Sequence, residues 1–431
     1  MRVSSHPAQT TAIWRRFATQ DLSILLLSIV IQLSLALLFG HFYDMRIFMA
    51  TGYLVGTGQN PYVPQDLTAV FNNSYFQGMT TIGYPPPWPL ILGLLYRGVY
   101  TAFPNLLIYN LAIKIPIIMA NIGIAYLVAE ILKNLGAEPA TIRRAWIFLL
   151  LNPFLLYFSS AWGQFDSIVA LLSLLSLVLL QAGKLKSSAL LLALAISFKP
   201  IALPILPVAL VYLLGKSLRQ AINYSGGFLA GVILFCVAPF IIFGWDPTPI
   251  FRGWNAHFTV GGGMSWLTFF ELLKDSYVLP GPWWLLGLVW IPALGIAILA
   301  LKPGITGFVD LLRKSTALIL VFFLTRTWLS EPNVILILPF VVILTSIGEL
   351  DRLFLFAVWI FPLVFTIFNA SPPQLLFPGF PGAMGSILKG ADDFRTARLL
   401  IRTALVVPWQ IAGWWMVITL FRKSSVPANT G

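Results

Sequence analysis

The chain has 431 residues, of which 58% are hydrophobic and only 10% charged, where a soluble domain carries nearer a quarter. Apolar runs of roughly 17–25 residues recur from end to end, each long enough to cross a bilayer; they predict an all-α polytopic transmembrane bundle of about 11–13 spans, one integral-membrane domain over 1–431 without a separate soluble domain. The net charge of +12 then reads as lysine and arginine in cytoplasmic loops rather than a nucleic-acid surface, and the single Cys236 excludes an internal disulfide and a thiolate metal cluster.

In chain order, residues 1–20 are polar with Arg15 and Arg16, and the apolar run behind them is longer than a signal-peptide core and lacks a small-residue cleavage site. The sequence therefore predicts an uncleaved first span over 22–41, with its N-terminus in the cytoplasm. The stretch 41–89, HFYDMRIFMATGYLVGTGQNPYVPQDLTAVFNNSYFQGMTTIGYPPPWP, is the longest weakly hydrophobic run between spans. It predicts an outer loop with a short membrane-surface helix over 45–57, Asp44 at its start and Gly56, Gly58 and Asn60-Pro61 ending it. Pro85, Pro86, Pro87 and Pro89 predict a stiff extended lead-in to an interfacial piece over 88–101.

Further spans are expected over 106–131, 145–160, 167–182, 221–243, 283–301, 315–329, 333–348, 352–369 and 403–421. The segment 187–215, broken at Ser197-Phe198-Lys199-Pro200, reads either as two crossings or as one long interrupted one. Basic cytoplasmic turns are expected to hold Lys133, Arg143, Arg144, Lys302, Arg313 and Lys314, and the long loops 42–105, 244–282 and 370–402 all fall outside. This assignment puts 16 of the 27 basic residues and 6 of the 15 acids inside, in line with the positive-inside rule. No internal repeat of the kind that marks many secondary transporters is present.

Charged groups at membrane depth are costly, so each is a functional candidate. Asp44, Arg46, Lys114, Asp166, Lys199, Arg326 and Glu331 all fall at the predicted outer boundary, although they come from distant segments. Structural roles are open to each: Asp44 and Asp166 as helix caps, Lys199 as a cap for carbonyls freed at Pro200, Arg326 as the ion-pair partner of Glu331. The tryptophans, Trp162 and Trp254 among them, read first as an interfacial belt. The triplet Asn72-Asn73-Ser74 matches an N-glycosylation sequon, a pattern that also occurs by chance. His6, His41 and His257 lack metal-ligand spacing, so no metal or other cofactor is indicated.

Four stretches resemble one family in order and spacing. Gly58-Gln59-Asn60-Pro61-Tyr62 followed by Tyr84-Pro85-Pro86-Pro87 is similar to the first luminal loop of GT-C superfamily glycosyltransferases. WGQFDSIVA at 162–170, SFKPIALPILP at 197–207 and SEPNVILILP at 330–339 resemble that superfamily's later conserved stretches, in particular those of the polyprenyl-phosphate-mannose-dependent mannosyltransferases, which include the first mannosyltransferase of GPI-anchor assembly. The resemblance covers about residues 20–350. One departure is clear: many relatives carry two acids two residues apart in the loop, whereas here Arg46 holds the second place and Asp44 stands alone.

The resemblance implies a polyprenyl-phosphate sugar donor, with mannose as the sugar, a lipid-linked glycan acceptor, and Gln164, Tyr62, Tyr84 and Glu331 among the substrate-binding residues. The chemistry agrees. A carboxylate, Asp44, would take the acceptor's hydroxyl proton, and cations would take up the charge of the departing lipid phosphate. Lys199, Arg326, Arg252 and His257 are the candidates, with Asp166 beside them, and direct displacement by one base predicts inversion. The expected setting is a monomer among membrane lipids, in a prokaryotic plasma membrane rather than the endoplasmic reticulum, with its site on the outer or luminal side. The rival reading is a secondary transporter or lipid-glycan flippase, which would keep its ionisable residues near the bilayer midplane.

Overall fold

Helix α1 (Pro7–Leu38) stops where helix α4 (Leu106–Asn134) takes its last carbonyls. Asn110 Nδ2 donates to Ala36 O at 2.5 Å and to Phe39 O at 2.8 Å. Gly40 follows, its N–H donating to Leu375 O at 2.6 Å, and a Cβ there would lie 2.7 Å from Asn110 Oδ1. The structure, a computed structural model, describes residues 7–77, 81–250, 259–274, 278–279, 281–301, 304–370, 372–380, 382, 384–392 and 394–422.

Among the described residues seven segments are long and apolar enough to cross a membrane: Asp21–Leu38, Leu106–Asn134, Pro139–Trp162, Leu218–Phe243, Gly281–Leu299, Arg352–Asn369 and Arg395–Phe421. Four shorter apolar segments accompany them: Asp166–Gln181, Leu185–Phe198, Pro200–Leu214 and Glu331–Ser346. The strands described are β1 (Gly262–Gly263) and β2 (Trp328–Leu329), two residues each and paired in parallel. The protein is an all-α, multi-pass membrane bundle.

Helix α2 (Phe42–Gly56) is the short helix expected after the first span, and its Met45, Phe48, Met49 and Leu54 are buried. Helix α3 (Pro87–Leu95) packs along it and continues into a wide turn whose Arg97 Nε donates to Gly56 O at 2.5 Å, closing the end of α2. The prolines do not make the extended lead-in: Pro86 is already helical (φ −54, ψ −31) and Pro87 opens α3, where a missing N–H costs nothing.

Helix α5 (Pro139–Leu151) runs on through Pro153–Leu155 into a wide turn over Leu156–Trp162, and α6 (Asp166–Gln181) starts back from there. The 187–215 segment forms two separate helices, α7 (Leu185–Phe198) and α8 (Ile205–Leu214), broken at Lys199-Pro200 and each shorter than a full span. Lys199 caps α7 in extended geometry and its Nζ meets Asp166, the first residue of α6, so α7 returns to the end from which α6 began. Helix α9 (Leu218–Val232) lies against α7 through small residues. A Cβ on Gly231 would come 2.6 Å from that of Ala193, and one on Gly227 3.3 Å from that of Ala189. Such small-residue contact is how helices approach closely where lipid offers no hydrophobic drive.

After α10 (Trp290–Leu299), α11 (Gly307–Thr325) begins about two turns before the span drawn from sequence. Arg313 and Lys314 are therefore not loop residues but buried helical ones. Arg313 Nη1 pairs with Glu349 Oε2 at 2.6 Å, Arg313 Nη2 donates to Leu420 O at 3.3 Å, and Lys314 Nζ donates to the same carbonyl at 3.3 Å. They close the C-terminal end of the last helix, where free carbonyls attract cations. Helix α12 (Leu338–Ser346) precedes α13 (Arg352–Asn369), which matches its expected span. The loop expected over 370–402 is shorter than drawn from sequence, because α14 (Met384–Asp392) occupies it and α15 (Arg395–Phe421) starts eight residues before 403. Arg398 and Arg402 are consequently helical.

Candidate functional site

Two backbone corners meet at one end of the bundle. One joins α1 to α2; the other is the wide turn of α5, a form that recurs at functional sites. The turn ends at Gly163, whose φ of 104 a side chain would resist. A Cβ there would also lie 2.5 Å from Met45 Sδ. Lys114, fully buried on α4, ties the corners together: its Nζ donates to Phe39 O and, at 2.8 Å, to Ala161 O. His41 N–H adds a bond to Trp162 O at 3.1 Å. The corners are thus held at backbone level before any functional side chain is considered.

Asp44 projects from the first turn of α2 into this junction. It caps nothing, since the cap position is His41 and no side chain there bonds the helix N–H groups. Instead Trp162 Nε1 donates to Asp44 Oδ2 at 2.5 Å and Gln164 Nε2 donates to the same oxygen at 2.9 Å. His41 Nδ1 lies 3.2 Å from that oxygen too. None of these contacts falls on Oδ1, and the side chain keeps 17% of its surface exposed. Burial pushes the carboxyl's titration up, but His41, with Trp162 and Gln164, draws it down further, and it ends below the ordinary carboxylate range.

Beside it, Tyr84 sits against Gln164, within the fields of both Asp44 and Asp166. Burial first, then those two charges, raises its hydroxyl well above the phenol range, so at neutral pH it remains a hydrogen-bond donor. Lys199 Nζ is 5.4 Å from the Tyr84 ring centroid and 5.5 Å from that of Phe165. It is chelated by Asp166, at 3.0 Å to Oδ1 and 2.9 Å to Oδ2, and Asn333 Nδ2 donates to Oδ1 at 3.0 Å. Asp166 has no exposed surface and is not a cap, and the Lys199 side chain meets Asp166 rather than the carbonyls freed at Pro200. Glu331, also buried, accepts from Asn369 Nδ2 at 2.6 Å, and its charge and that of Asp44 are close enough to act on one another.

The structure thus brings together Asp44, Gln164, Tyr84, Asp166, Lys199 and Glu331, which the sequence offered separately. Asp166 faces Lys199 and Asn333 rather than open space. Tyr62 lies behind Tyr84: it is fully buried, its hydroxyl donates to Tyr84 O at 3.1 Å, and its ring stacks on Phe240 at 5.4 Å. Arg326 does not pair with Glu331. Its guanidinium lies 4.9 Å from the Phe322 ring, its buried Nη1 meets no acceptor among the described residues, and burial lowers its titration to about 10. Ser265 Oγ fixes its backbone by donating to Arg326 O at 2.7 Å. Arg252, Trp254 and His257 lie outside the described residues.

Three elements went unread in the sequence. His41 had been weighed only as a metal ligand, although its place three residues before Asp44 puts both on one helical face. Asn333 and Asn369 carry no pattern. The buried pair Arg402–Glu271, 2.5 Å apart, joins α15 to the short helix Phe269–Lys274 across 131 residues of sequence, and no local signal could reveal it. Among the described residues no group of three or more His, Cys, Asp or Glu could hold a metal. No family model and no curated protein matches the chain.

Proposed function

We propose that the protein is a membrane glycosyltransferase of the GT-C type, moving a hexose, mannose by preference, from a polyprenyl phosphate to a lipid-linked acceptor on the outer or luminal face. The observation that carries this reading is the asymmetry of Asp44: Trp162 and Gln164 bond one oxygen, His41 adjoins it, and the other oxygen takes none of them. A carboxylate held this way is oriented and stays charged, yet keeps an oxygen for an incoming hydroxyl. General-base assistance of this kind is worth about 10²–10⁴ in rate.

In this reading Oδ1 takes the acceptor proton as the acceptor oxygen attacks the anomeric carbon. The bond from that carbon to the lipid phosphate breaks, and the configuration inverts. Tyr84 donates to a sugar or phosphate oxygen. Arg326, a cation without an acid partner among the described residues, takes up charge on the leaving phosphate, as oriented cations do when charge develops in a dry site. Lys199 contributes field more than contact, because Asp166 already neutralises it.

The test is transfer by purified protein from radiolabelled polyprenyl-phosphate mannose to a lipid acceptor. Wild type should form product of inverted configuration, and Asp44→Asn should lose about 10²–10⁴ of the rate. Full transfer by Asp44→Asn would remove the base. Vesicle uptake or flipping of a lipid-linked sugar without any transfer would favour the transport reading.

A further inference from the structure

One ring stack at the corner between α1 and α2 is not suggested by the sequence. His41 stacks face to face on Trp162, with ring centroids 3.9 Å apart and planes inclined by 16°. Trp162 Nε1 bonds Asp44 Oδ2, and His41 Nδ1 reaches the same atom at 3.2 Å. The approach of Nδ1 is off the line of an ideal N–H bond, so the two groups meet by proximity rather than by a hydrogen bond. A proton on Nδ1 would be attracted by the carboxylate at that distance, whereas a lone pair there would face the carboxylate lone pairs and be repelled. Only 9% of the His41 side chain is exposed, which leaves it little room to turn away.

We propose that His41, clamped on Trp162, is a positioning residue that holds Asp44 by Oδ2 and leaves Oδ1 for the substrate. The inference rests on the transferase reading for its consequence, but its geometry does not. The other ionisable groups nearby have contacts of their own. On the same helix, Arg46 lies 6.0 Å from the Tyr43 ring. From the neighbouring elements, Lys114 is occupied by Phe39 O and Ala161 O, and Lys199 by Asp166. Tyr84 and Glu331 are the remaining neighbours, and both add negative charge or none. Among the described contacts, His41 is a cation-capable group that reaches Asp44 Oδ2, at 3.2 Å.

The experiment separates the clamp from the activity. Dicyclohexylcarbodiimide attaches to protonated carboxyls in apolar settings, so labelling of Asp44, followed by mass spectrometry across pH, reports when that group gains its proton. In detergent-solubilised full-length protein, His41→Phe keeps a ring on Trp162 but removes the proton; labelling of Asp44 should set in at higher pH than in wild type. His41→Gln, which restores a donor, should lie between. Identical labelling curves for all three proteins would overturn the clamp. In the transfer assay, His41→Phe should lower kcat about tenfold with KM little changed, and His41→Gln should recover part of it. A change confined to KM would likewise overturn a positioning role. Absence of transfer by wild type would defeat the proposed function, while the labelling curves would still decide the clamp.

Discussion

Two aspartates, Asp44 and Asp166, both act on Tyr84, and they are treated oppositely. Asp166 has no exposed surface, and its two oxygens are filled by Lys199 and Asn333. Asp44 has one crowded oxygen and one that takes none of those bonds, with part of the side chain open. A closed pair of charges supports a fold, because neither partner can leave without stranding the other in a medium of low dielectric. A half-satisfied carboxylate is poor support but good chemistry, since its orientation is settled in advance and its reactive oxygen is not used up. Lys199 and Asp166 are the foundation; Asp44, Gln164 and Tyr84 stand on it.

The contrast can be broken at either acid. The largest effect is expected at the open one: Asp44→Asn should cost about 10²–10⁴ in sugar transfer with a melting temperature close to wild type. Because the folded carboxyl titrates below its ordinary range, wild-type activity should persist into moderately acidic solution. It should fail as pH drops through that lowered value, and the stability that the ionised group contributes is lost over the same window. A pH–rate profile and a pH series of melting curves measure both.

At the closed acid the expectation reverses. Asp166→Ala should strand Lys199 and cost about 3–5 kcal/mol of stability, read by thermal unfolding in detergent. The double variant Asp166→Leu with Lys199→Met should recover most of that loss, because both charges leave together. A smaller effect is expected at the hinge between them: Gly163→Ala forces a side chain into positive φ against Met45 and should cost about 1–3 kcal/mol, read in the same melts. Smallest is Trp162→Phe, which removes one donor from Asp44 Oδ2 and should slow transfer about tenfold while leaving the melt nearly unchanged. Should Asp166→Ala leave stability intact, or Asp44→Asn melt early, the assignment of foundation and working acid is the wrong way round.

Another buried pair offers a control. Arg313 and Glu349 lie 2.6 Å apart, with Arg313 also capping carbonyls at the end of α15. From sequence these two basic residues, Arg313 and Lys314, look like Arg143 and Arg144: basic residues flanking an apolar run. Burial separates them, and burial depends on where α15 ends, more than a hundred residues away.

Hydrophobic run length determined by itself that this is a multi-pass helical membrane protein. A span is a local property, and α4 and α13 fall close to where their apolar stretches put them. Local chemistry also marked Asp44 at the head of a short helix, the break at Lys199-Pro200, and the turn around Trp162-Gly163-Gln164. What only the tertiary structure decided is which acid is sealed and which is open. That depends on contacts between residues 33, 118, 120 and 167 positions apart, for Lys199–Asp166, Trp162–Asp44, Gln164–Asp44 and Asn333–Asp166. A carboxylate's role is set by the donors that surround it, and those donors arrive only when the helices pack.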